Sequence, residues 1–127
     1  MTNDSPALAT ALAYFQAWTR GDFEAAMAHI DDDIVCQAPA GRLEGPEAFR
    51  NFMGSFSQIV TRSEPGAAFG DDSTAVLMYD IDTVPVTDAP GAECHTVVDG
   101  RIVHIRIIFD RQPFTEARQA AAAAVRG

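Results

Sequence analysis

A chain of 127 residues, 47% of them apolar, has room for one hydrophobic core and not for two. Its formal charge of -9 sets it against phosphate backbones and anionic lipid, so neither nucleic acid nor a membrane surface is an expected partner. No run approaches the ~20 apolar residues of a membrane span, and the opening MTNDSPALAT puts no basic segment before an apolar one, so no leader is expected and the chain reads as cytoplasmic.

All nine basic residues are arginine, which leaves no lysine for Schiff-base chemistry and reads as the codon bias of a GC-rich bacterium. Two cysteines, Cys36 and Cys94, do not make a disulfide framework. The histidines, at positions 29, 95 and 104, lack close metal-ligand spacing, and no nucleotide or flavin fingerprint occurs. Neither a metal nor another cofactor is expected.

In chain order, Ser5 and Pro6 mark a helix start, a side-chain cap followed by proline at the first helical position. Leu8, Ala11, Leu12 and Phe15 follow at helical spacing, and Tyr14 and Trp18 form an i, i+4 pair. Gly21 ends this helix and Asp22 caps a second, with Phe23, Ala26, Met27 and Ile30 on its apolar face. The aspartates at 31–33 read as a solvated connection into a strand, Ile34 to Ala38, followed by a turn at Pro39-Ala40-Gly41. Gly45-Pro46 starts a third helix bearing Phe49, Phe52, Met53 and Phe56. A break at Ser63 to Gly66 and a short strand from Ala67 to Phe69 come next. Strands are then expected over Thr74 to Val86, Cys94 to Val98 and Arg101 to Phe109, the last two joined at Asp99-Gly100, a strong hairpin signal. The alanine-rich end after Pro113 reads as a frayed or docked tail. Helices first and antiparallel strands after make an α+β arrangement.

The stretch ALAYFQAWTRGDFEAAMAHIDDDIVCQAPAGRLEGPEAFRNFM resembles the opening of the nuclear transport factor 2-like superfamily, and within it the ketosteroid isomerases and SnoaL-like polyketide cyclases. Gly-Asp-Phe, the Gly-Pro before the third helix, and Asp-Gly-Arg-Ile with a closing Phe-Asp carry the same resemblance. It implies a single domain over 1–127 with a core at about 6–112. It also implies a cone, a curved antiparallel sheet wrapped around the N-terminal helices and enclosing a pocket, and a homodimer.

The resemblance implies site residues as well. Tyr14 matches the tyrosine with which those isomerases hold an oxyanion. Their base aspartate falls at Ala38, which cannot take a proton, and their partner acid falls near Cys94, a weak donor. The strand AVLMYDIDTV is also similar to that of the limonene-epoxide hydrolases. Asp82 matches their aspartate, Asp80 stands where they carry arginine, and their second aspartate falls at Ile107. A spacing of two puts Asp80 and Asp82 on one sheet face, where one would be held neutral beside an ionised partner. Alternation does not choose the face: matching to the isomerases turns the pair outward, matching to the epoxide hydrolases turns it inward. We take Asp82 inward.

On the last strand Val103, Ile105, Ile107 and Phe109 alternate with His104, Arg106, Ile108 and Asp110; the first set should line the pocket and the second should face outward into a dimer interface. His95 should lie on the opposite face from Cys94. The expected pocket thus has Tyr14, Asp82, Asp80 and Gln37 as polar groups, with Trp18, Ala38, Met53, Cys94, Ile105, Ile107 and Phe109 as walls. It suits a hydrophobic polyketide-, steroid- or terpenoid-like molecule. The expected function is cofactor-independent acid–base catalysis of the isomerase, cyclase or dehydratase type, with Asp82 as base and Tyr14 as donor. Two alternatives stand beside it: epoxide hydrolysis or epoxide-opening cyclisation by Asp82 and Asp80, and a non-catalytic binding protein, for which Ala38 and Ile107 argue.

Overall fold

The computed structural model describes residues 5–39, 41–84 and 86–126. Ala40 of the expected turn, and Pro85 within the expected strand to Val86, lie outside them.

Helix α1 spans Pro6–Thr19 and begins as its sequence directs: Ser5 Oγ accepts from the Leu8 amide at 2.9 Å, with proline next in line. Helix α2 is short, Phe23–Met27, capped by Asp22 through the Ala25 amide at 3.1 Å. Strand β1, Ile30–Ala38, runs through the three aspartates, so the acidic connection is itself strand, with Asp32 and Asp33 exposed. Strand β2 is Gly41–Glu44 and helix α3 is Pro46–Ile59. Strand β3, Val60–Gly70, is one long strand across the expected break, and its pairing shifts register between Pro65 and Ala68. Proline has no amide to give the ladder, and the irregularity falls where it sits. Strands β4 (Thr74–Thr83), β5 (Ala89–Val98) and β6 (Arg101–Phe109) follow, and helix α4, Gln112–Arg126, ends the chain.

The six strands form one sheet in the order β2-β1-β6-β5-β4-β3. Pairing is antiparallel except between β1 and β6, which run parallel, a departure from the all-antiparallel expectation. The β5–β6 turn is the expected hairpin, with positive φ at both Asp99 (51°) and Gly100 (76°). The curved sheet wraps α1 and α3 in the cone expected of this α+β fold. Ala75, Leu77, Tyr79 and Ile81 of β4 and Ile105 and Ile107 of β6 bury toward α1 residues Leu8, Ala11, Phe15 and Trp18, and α3 residues Phe49 and Met53. Ser57 Oγ of α3 donates to the Trp18 carbonyl at 2.5 Å and ties the two helices together inside the core.

Candidate active site

Between the helices and the concave face lies a narrow cleft whose empty space, about 370 Å³, is mostly open mouth and van der Waals gap, with only about 20 Å³ inside it roomy enough for a water molecule. Trp18 of α1, Phe52, Met53 and Phe56 of α3, Ile107 and Phe109 of β6, and Phe114 of α4 form apolar walls. Tyr79, Ile81, Gly91 and Glu93 close the sheet side. Glu93 is the one acidic residue on this wall among the described residues.

Glu93 is 1% exposed and its neighbour on the same face, His95, is wholly buried. A carboxylate taken this far from water requires donors for its oxygens. Tyr79 donates its hydroxyl to Glu93 Oε2 at 2.5 Å, and His95 Nε2 lies 2.9 Å from Oε1. Burial, reinforced by the Glu93 charge and their hydrogen bond, raises the Tyr79 hydroxyl well above its ordinary pKa, so it stays a donor. The Tyr79 ring lies directly over Gly91, its cross-strand partner; a Cβ added there would sit 2.8 Å from the ring. A glycine thus admits the tyrosine, and the tyrosine holds the carboxylate.

Tyr14 is fully buried one helical turn from Trp18, with its ring 5.5 Å from that of His95 and edge-on to it. It stands behind the cavity and does not border it. Burial, then the Glu93 charge and the nearby Cys36, raise its hydroxyl well above the ordinary value. Tyr14 Oη, Trp18 Nε1 and His95 Nδ1 have no hydrogen-bond partner among the described residues. Cys36, on the inner face of β1, has its thiol pushed up to about 12 by burial and then by Glu93, so it is no thiolate near neutrality.

Several expectations require correction. Asp80 is exposed and Asp82 lies on the same outer face, because Tyr79 and Ile81 take the inner positions of β4. Asp82 is held there by Arg62, its cross-strand partner, at 2.7 Å, and by the Asp88 amide at 2.7 Å. The Arg62 hydrogen bond, then the Asp88 amide, keep its carboxyl below the usual range. Gln37 is also outside, paired with His104 at 3.1 Å. Cys94 is half-buried on the outer face, opposite Val76 and Arg106. Ala38 borders a shallow groove at the sheet end with Pro39 and Arg106, not the inner cavity. Ile105 is buried beneath the cavity without lining it. Trp18, Met53, Ile107 and Phe109 do line it, and Glu93 and Tyr79 are the residues that sequence reasoning missed.

A register slip explains both the omission and the Cys94 error. A regular hairpin from Asp99-Gly100 would set Cys94 opposite Ile105. Instead the β5–β6 pairing shifts by one between Thr96 and Val97, so that His95 meets Ile105 and Glu93 meets Ile107. A slip of one residue exchanges the faces of everything beyond it.

No cluster of three metal-ligating side chains occurs among the described residues, nor any helix long and apolar enough to cross a membrane.

No curated protein matches the chain. Among solved structures, a protein from Kribbella flavida is 58% identical, with 92% of this chain and 97% of that one covered and a TM-score of 0.90. A candidate polyketide cyclase from Sinorhizobium meliloti shares the fold at 20% identity, covering 79% of this chain and 94% of that one, with a TM-score of 0.69. TerC, crystallised with polyporic acid, shares it at 17% identity, covering 89% and 98%, with a TM-score of 0.71. The SnoaL-like domain family matches residues 11–105, the span that builds the cone from α1 through most of β6. On that match and that architecture, the chain belongs to the SnoaL-like family of the nuclear transport factor 2-like superfamily.

Proposed function

We propose that the protein is a cofactor-independent acid–base enzyme of the isomerase, cyclase or dehydratase type, acting on a hydrophobic polyketide-, steroid- or terpenoid-like molecule with Glu93 as the proton-transfer group. One observation carries this reading: a buried carboxyl group, within hydrogen-bond distance of Tyr79 and His95, on the wall of an otherwise apolar cavity. A carboxylate has about four lone-pair sites, so two bound donors leave capacity for a third partner. A substrate proton α to a carbonyl is within the chemistry of such a group: Glu93 takes the proton, the C–H electron pair moves into the enolate, and the proton is returned at the same or another position. Tyr79 and His95 hold the carboxylate in place. The aromatic walls exclude water from the reacting carbon.

Deuterium exchange tests this reading without knowledge of the natural substrate. Wild-type protein in D₂O should accelerate loss of the α-protons of 2-tetralone, a bicyclic ketone, above the buffer rate. Glu93→Gln should remove ~10²–10⁴-fold of that acceleration while melting as a folded protein. A wild-type rate equal to buffer, or a folded Glu93→Gln variant as active as wild type, would refute the assignment.

A further inference from the structure

We infer that the indole N–H of Trp18 is the cavity's donor to an acceptor oxygen of the bound molecule, a carbonyl oxygen above all. The inference rests on the reading of this cavity as the ligand site. Trp18 is wholly buried and walls the cavity, and its Nε1 has no partner among the described residues. A tryptophan N–H can only donate, and a buried donor without an acceptor is destabilising, so such groups normally find one.

The other side-chain donors near this space are committed or out of reach. Tyr79 gives its hydroxyl to Glu93 and Ser57 gives its own to the Trp18 carbonyl. Tyr14 is unpartnered at Oη but does not border the cavity, and His95, with Nε2 turned to Glu93, has at Nδ1 an acceptor in the neutral ring and does not border the cavity either. The donor that the family resemblance set at Tyr14 is therefore displaced one helical turn along α1. Trp18 on the helix wall and Glu93 on the sheet wall then offer the cavity one donor and one acceptor, the pair that an enolisable ketone requires. The N–H polarises the oxygen on which charge accumulates, and the carboxylate receives the proton.

The chain has a single tryptophan, so one indole signal in a ¹⁵N–¹H correlation spectrum reports on this contact in the wild-type protein. The probes are 2-acetylnaphthalene and 2-isopropylnaphthalene, of similar shape and differing in the carbonyl oxygen. The ketone should bind about tenfold tighter and shift the indole proton downfield relative to the hydrocarbon. Trp18→Phe should close the affinity gap between the two probes, whereas Asp82→Asn, on the outer face of the sheet, should preserve it. Equal affinities with the same indole shift would overturn the role given to Trp18 and leave the cavity reading standing. If neither probe binds, the cavity reading falls and this inference falls with it. Because the shift and the affinity gap are both read on wild type, the test holds even if Trp18→Phe fails to fold.

Discussion

Gly91 is small because Tyr79 occupies the space a side chain would need. Gly91→Ala should push the Tyr79 ring aside and break its bond to Glu93, at a stability loss of about 1–3 kcal/mol from overpacking. Tyr79→Phe keeps the ring and removes only the bond. Thermal melting and the 2-tetralone exchange rate together separate the two effects: both variants should lose exchange activity, and Gly91→Ala should lose more stability. An alanine variant with wild-type melting and rate would show that the ring has room to spare. At this scale the sequence was partly legible. Trp18, Met53, Ile107 and Phe109 were found from helical spacing, strand alternation and family likeness. Asp82 was set on the wrong face because both faces of β4 are mixed; Arg62, which fixes its outward course, lies 20 residues away in the chain.

At the scale of elements, α1, α3 and the β5–β6 hairpin were legible because caps, prolines and the Asp99-Gly100 turn are local signals. The shift at Thr96/Val97 was not, because a bulge depends on two strands together. The long β3 was hidden by Pro65 and Gly66, which read as a stop in isolation and are carried by β4 in the sheet. The alanine-rich sequence of helix α4 leaves open a frayed or a docked tail, and one residue shows how it docks. Phe114 packs 6.0 Å from Phe56 and 5.7 Å from Phe109 and joins the cavity wall, whereas residues 118–124 are exposed. Phe114→Ala should widen the mouth and speed association of 2-acetylnaphthalene, read as quenching of Trp18 fluorescence in stopped flow. The stability cost should stay below the ~3–5 kcal/mol of a fully buried phenylalanine. An unchanged association rate would mean that ligands reach the cavity by another route.

At the scale of the molecule, the outer sheet face carries a row that solvent alone does not account for. Met78 (56% exposed) and Ile108 (58%) flank Ala92 across β4, β5 and β6, with Val76 (42%) in the next row beside Cys94 and Arg106. Aspartates 80 and 82 lie at one end of this strip and Arg106 toward the other, so two copies meeting in opposite senses would bring unlike charges together. We expect a homodimer through this face: sedimentation at micromolar concentration should give twice the chain mass, and Met78→Asp with Ile108→Asp should give the monomer. A wild-type monomer at that concentration would contradict the expectation.

The central claim is that the working carboxylate is Glu93 inside the cone and not an aspartate of β4. Measuring 2-tetralone exchange for Glu93→Gln and Asp82→Asn side by side, each first shown to be folded, tests it most directly. The account predicts that Glu93→Gln loses the catalysed rate and Asp82→Asn keeps it. The reverse pattern, an active Glu93→Gln with an inactive Asp82→Asn, would contradict it.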